Sequence, residues 1–215
     1  MLREALTSFA GAILLLSCLV GCSMKPATEP EAQIAMKNGP LLKITKEAVE
    51  KLVLDDLQGG EMVLFRNCCK VRDEQPGGSL EEKELAMLTR IPEKLGHYYL
   101  IFRFDGLWGN GGMQAVALDH DASLNSEILQ RTVEAHRAYG NEETAALIEK
   151  LIPVASAAAM VLNNSEERDI PDAEMESIWA TIDAFDAPYE QAGEGGNIYE
   201  AMLKDMHQNP QQYVP

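Results

Sequence analysis

Apolar positions recur every three or four residues through most of the chain after residue 44, a spacing that predicts helices. Thr45 can cap a helix over KEAVEKLVLDDL, where Ala48, Val49, Leu52, Val53 and Leu57 recur at helical spacing and Gly59-Gly60 ends the run. Residues 61–70 predict a second short helix, and RDEQPGG (72–78) a loop. Ser79, with Glu82 three residues on, forms a capping box for a third helix carrying Leu85, Leu88 and Ile91. Pro92 suits the first turn of a longer helix running to Trp108, with Leu95, Tyr98, Tyr99, Phe102 and Leu107 as its apolar surface. YYLIFRF also has the composition of a strand. The chain offers no partner strand of similar quality, and a lone strand leaves its backbone unpaired, so a helix is expected.

Gly109-Asn110-Gly111-Gly112 breaks the pattern, and a helix can restart at Met113 and run to about Leu118. Asn125 or Ser126 caps the next, with Ile128, Leu129, Thr132, Val133, His136 and Tyr139 on it and Gly140 at its end. Asn141 caps another, with Leu147, Ile148, Leu151 and Ile152 apolar, and Pro153 predicts a break or kink before VASAAAMVL. Asp172 or Ala173 opens EMESIWATIDAF, and GEGG is a loop. Asn197 and Glu200 begin a last helix with Tyr199, Met202, Leu203 and Met206 inward, ended by Pro210. The expected fold class is all-α: about eight helices on one core, spanning 41–215.

The start of the chain follows another pattern. Leu6 to Val20 are almost wholly apolar or small, too short for a comfortable membrane-spanning helix of ~20 residues but suited to a secretory signal. Leu19-Val20-Gly21-Cys22 follows directly and resembles the lipobox of bacterial lipoproteins. That resemblance implies a signal peptide over 1–21, cleavage before Cys22, and acylation of Cys22 as a lipid anchor. Ser23, in place of Asp, points to the outer membrane of the cell envelope over the inner one. Residues 22–40, with Pro26, Pro30 and Pro40, read as a flexible tether. An ordinary signal peptide ending by chance in Cys is the plainer alternative. Initiation at Met24 would remove the lipobox and leave a cytoplasmic protein. Of the remaining thiols, Cys68 and Cys69 are adjacent and rarely bridge each other, so no disulfide framework is expected. A disulfide between two copies, and hence a homodimer, stays open.

Charge changes the picture most. The chain of 215 residues has 18 Lys and Arg against 34 Asp and Glu, a formal net charge of −16. Direct nucleic-acid binding and electrostatic adhesion to anionic lipid both require a basic face, and are disfavoured. Between 163 and 200 stand Glu166, Glu167, Asp169, Asp172, Glu174, Glu176, Asp183, Asp186, Glu190, Glu194 and Glu200, against Arg168 alone. A solvated face that keeps the protein soluble is the plain reading. The sharper one is a ridge of carboxylates, Asp172, Glu176, Asp183, Asp186 and Glu190, that occupies a basic protein partner. Neutralising those five is expected to leave stability equal or higher, because repulsion falls. Four His (97, 120, 136 and 207) show no paired metal spacing, and Asp119-His120-Asp121 is the best local cluster but suits a polar loop. No catalytic or metal constellation is evident, and no cofactor or enzymatic activity is expected.

Asp105-Gly106, Asn110-Gly111-Gly112 and Tyr139-Gly140, together with the ends IDAFDAPYEQ and NPQQYV, resemble the DUF4375 or DMP19-like family, over about 80–215. The resemblance implies an all-α domain and a DNA-mimic role. Met113 stands where that family carries an aromatic, and Ala115 where it carries Gln. Asn110-Gly111-Gly112 is expected to be a tight structural turn with left-handed dihedrals, Gly111 among them. An anion-binding nest is the rival reading, although no P-loop lysine follows. The expected function is a membrane-anchored, acidic, protein-binding lipoprotein, DNA-mimic-like, blocking a basic partner. Its rivals are a structural envelope lipoprotein without such a partner and the cytoplasmic mimic started at Met24.

Overall fold

The computed structural model describes residues 44–58, 62–118, 122–163, 171–194 and 197–214. Ten α-helices and no strands occur among them: α1 (Lys46–Val49), α2 (Leu54–Gln58), α3 (Val63–Asp73), α4 (Leu80–Leu88), α5 (Glu93–Leu118), α6 (Ala122–Ala138), α7 (Glu142–Asn163), α8 (Asp172–Asp183), α9 (Asp186–Glu194) and α10 (Ile198–Gln208). A 3-10 turn over Pro210–Gln212 follows. Eight of the helices have nine residues or more, and the fold is all-α. The signal and tether assignments, with Cys22, Gly59-Gly60, Asp119-His120-Asp121 and residues 164–170, lie outside the described residues.

Local signals set most helix starts. Thr45 accepts from the Ala48 amide at 3.2 Å, and Ser79 and Glu82 form the reciprocal capping box. Asn197 accepts from the Tyr199 amide at 3.1 Å. Gly140, at φ +75°, ends α6. The single helix expected after Thr45 is instead two. The Asp56 carboxylate accepts from the Val53 amide at 2.8 Å, which caps a new helix and leaves residues 50–53 between the pair. Pro153 does not break α7. It lies on the exposed side of a continuous helix, while Leu151, Ala155, Ala158 and Ala159 hold the opposite side in the core.

The apolar interior has two clusters, and α5 runs through both. Leu95, Tyr98, Tyr99, Leu100 and Ile101 join Val49, Leu57, Leu64, Cys68, Met87, Met202, Met206 and Tyr213 in the first. Phe104, Met113, Val116 and Ala117 join Leu129, Val133, Ile148, Leu151, Ile182 and Tyr189 in the second. Helix α6 also serves both, presenting Ile128 and Ala135 to one and Leu129 and Val133 to the other. Polar ties fix the outer helices to α5. Fully buried Glu84 of α4 pairs with Arg103 at 2.7 Å, and Arg72 of α3 donates to the Tyr99 hydroxyl at 3.2 Å. Asp205 of α10 accepts from Lys94 at 3.0 Å and from Tyr213 at 2.5 Å. Burial works against the Asp205 charge, but hydrogen bonds from Tyr213, Lys94 and Asn209 outweigh it and hold its carboxyl below the usual range.

Candidate functional site

The break in α5 is an elbow whose non-helical dihedrals fall at Gly111 (φ −170°, ψ 25°) and Gly112 (φ 64°, ψ −163°). Gly112, not Gly111, therefore takes the left-handed φ; Gly111 is extended, a conformation open to any residue. Asn110 closes the helix before the elbow, its side-chain amide donating to the Gly106 carbonyl at 2.7 Å. A helix restarting at Met113 leaves its first amides without helical partners. One of them is met from far along the chain: Asp186 Oδ1 accepts the Met113 N–H at 2.9 Å. The same oxygen accepts the Trp108 indole N–H at 2.9 Å. A Cβ on Gly112 would stand 3.0 Å from both Asp186 oxygens, so the carboxylate's approach, as well as the dihedral, requires glycine. The elbow is thus a turn closed by one of the chain's own carboxylates, which meets a single backbone amide and the Trp108 indole.

Asp186 also opens α9, so a single carboxylate sits between two helix N-termini, where the helix dipoles favour negative charge. Asp183 is at the opposite kind of end, the C-terminus of α8, where a carboxylate is disfavoured. Gln114, just past the elbow, donates to its Oδ1 at 2.7 Å and offsets that cost. Two of the five acids proposed for one ridge, Asp183 and Asp186, therefore accept internal hydrogen bonds, which an asparagine oxygen at either position could still accept. Asp172 and Glu176 are exposed on α8 and Glu190 on α9. From Pro171 to Leu203 the sequence has no Lys, Arg or His.

Helix α9 is seated by Tyr189, whose ring lies 5.2 Å from that of Phe104 and 5.0 Å from that of Trp108. The Tyr189 hydroxyl donates to Asp105 Oδ1, and the Tyr199 hydroxyl of α10 donates to Oδ2 at 2.6 Å. Burial pushes the Asp105 carboxyl up, and the two phenol donors only partly counter it. Asp105 thus joins α5, α9 and α10 through one side chain. Trp108, Tyr189 and Asp105 were not assigned to this surface from sequence. The signals were the Asp105-Gly106 and IDAFDAPYEQ elements of the family resemblance, which do not show that the two meet, since the contacts span 78 and 84 residues.

The pattern that defines the DMP19-like protein family matches residues 89–207, more than half of the chain. The chain belongs to the DMP19-like family. The match opens in the turn before α5 and ends within α10, so the elbow, the Asp105 hub and the acidic pair α8–α9 all lie inside the DMP19-like region, while α1 to α4 precede it. No curated protein and no solved structure matches the chain. Among the described residues of this DMP19-like chain, no group of three or more His, Cys, Asp or Glu is placed to hold a metal ion. Cys68 is buried and Cys69 half-buried, both as free thiols, and burial raises the thiol pKa of each.

Proposed function

We propose that this DMP19-like protein is a non-catalytic, acidic protein-binding lipoprotein that occupies a basic partner through α8 and α9. One observation carries the reading: Asp172, Glu176 and Glu190 are exposed on a helix pair within a stretch, 171–203, that contains no basic residue. Helical rise puts Asp172 and Glu176 about 6 Å apart along α8, within the range of successive phosphates on a nucleic-acid strand. The family membership supports a DNA-mimic-like mode of inhibition, in which carboxylates take the place of phosphates before a cationic groove. The lipobox supports a place at the cell-envelope membrane, the outer one favoured, with the chain tethered by acylated Cys22 and its partner met outside the cytoplasm.

The test is binding of an immobilised lysine-rich polypeptide across a salt series. Attraction between opposed surfaces should fall steeply as the Debye length shrinks from ~10 Å at 0.1 M to ~3 Å at 1 M. Changing Asp172→Asn, Glu176→Gln and Glu190→Gln together should abolish the salt-dependent part. The same charge loss at exposed Asp55, Glu74 and Glu143 should leave most of it. Equal loss from both sets would make the acidity a solvated face and return the protein to the structural-lipoprotein reading. For the anchor, Cys22→Ala should leave the chain unprocessed or soluble; a variant that still fractionates with membranes in processed form would refute it.

A further inference from the structure

We propose that Asp186, with Asp183, acts as a positioning latch: the two carboxylates pin the corner between α8 and α9 to the glycine elbow and so set the direction in which Asp172, Glu176 and Glu190 face a partner. The inference rests on the acidic-surface reading. It divides the five acids into those that meet the partner and those that hold the surface in place.

The geometry separates the roles. Asp186 is only partly exposed, and its Oδ1 receives both the Trp108 indole N–H and the Met113 amide. Asp183 receives the Gln114 amide. All three donors belong to the elbow or its flanks, and the two carboxylates are separated only by Ala184 and Phe185 and the intervening turn. From that corner α8 runs back through Glu176 to Asp172, about 10 and 16 Å away along its axis. Fixing the corner therefore fixes the ridge. Glu190 follows Asp186 by one turn of α9, beside Tyr189, which is seated on Phe104 and Trp108. What the latch needs from Asp186 is an acceptor oxygen, because both donated bonds end on the same atom. An amide side chain keeps that oxygen and loses the charge, which makes the two roles separable by substitution.

The experiment compares wild type, Asp186→Asn and Asp186→Ala by amide hydrogen exchange and by binding to the lysine-rich polypeptide. Without its acceptor, the Met113 amide should exchange at least ~10-fold faster in Asp186→Ala, because the bond it loses ends on a charged acceptor, stronger than a neutral one. Amides from Tyr98 to Phe102 should keep their protection. Binding should weaken several-fold in Asp186→Ala and stay near wild type in Asp186→Asn, which preserves the acceptor. Equal weakening by both variants, with Met113 still protected in the amide variant, would make Asp186 a recognition charge and overturn the proposal. Unchanged exchange in Asp186→Ala would overturn it as well. Faster exchange with a wild-type protein that does not bind the polypeptide would support the latch and refute the acidic-surface reading instead. Should Asp186→Ala fail to fold, Trp108→Phe removes one donor while keeping an aromatic ring on Tyr189. It should loosen binding without any change of charge; unaltered binding would count against the latch.

Discussion

At the scale of single residues, two adjacent glycines differ sharply in what they tolerate. Gly112 carries the left-handed dihedral and the close approach of Asp186, so Gly112→Ala should cost about 1–2 kcal/mol from backbone strain alone, plus displacement of the carboxylate. Gly111→Ala has no such strain and only crowds the Ala115 Cβ at 3.0 Å, so its cost in urea denaturation should be clearly smaller. A reversed order would place the strain elsewhere. His136 contributes to the pH dependence. It is 1% exposed, packs edge-on against Phe104, and burial lowers its pKa to about 4. A depressed folded-state pKa means the unfolded chain takes up the proton first. Stability from the neutral ring is therefore complete above the unfolded value near 6.5 and is lost as pH falls through about 4. The loss corresponds to roughly 3 kcal/mol at the acid end. His136→Leu should remove that slope from a plot of unfolding free energy against pH between 7 and 4. An unchanged slope would assign it to other groups.

Among the elements, α7 shows how packing overrides a local signal. Proline in a helix interior removes one hydrogen bond and crowds the preceding turn, yet α7 continues because its buried side is held by Leu151, Ala155 and Ala158. Pro153→Ala should restore the bond to the Glu149 carbonyl and stabilise the protein by up to about 2 kcal/mol, after allowing for the chain restriction that proline imposes when unfolded. A loss of stability would mean that α7 depends on the proline ring. The same contrast explains what the sequence revealed. Caps at Thr45, Ser79 and Asn197 were legible because each signal lies within three residues of its effect. The division of α1 from α2 was missed, although Asp56 is equally local, because the apolar spacing runs unbroken across it. Helix α9 is not legible because the apolar spacing stops at Phe185 and the GEGG at its end reads as loop, while the Tyr189 contacts that seat it come from another helix. The elbow was visible as a glycine cluster, but its filling by Asp186 was not, since the partners lie 73 residues apart.

For the whole molecule, the net charge of −16 was plain from the start, and it named the acidic third as the surface of interest. It did not reveal which acids also hold tertiary hydrogen bonds, because charge counting is blind to donors brought in from elsewhere in the chain. Asp183 and Asp186 look like any other members of the run until Trp108, Met113 and Gln114 are placed beside them. The passage of α5 through both apolar clusters has a consequence for how the molecule comes apart. Neither cluster can melt while the other keeps α5 intact without tearing that helix near its middle, around Phe102 to Phe104. Loss of order should therefore be cooperative, with both halves failing in the same narrow range of denaturant. The chain carries its own reporters of this. Cys68 is sealed in the first cluster and Trp108 borders the second. Alkylation of the Cys68 thiol and the change in tryptophan emission should follow one midpoint in urea. Two separated midpoints would show that α5 can part around Phe102 to Phe104 and let the second cluster open on its own.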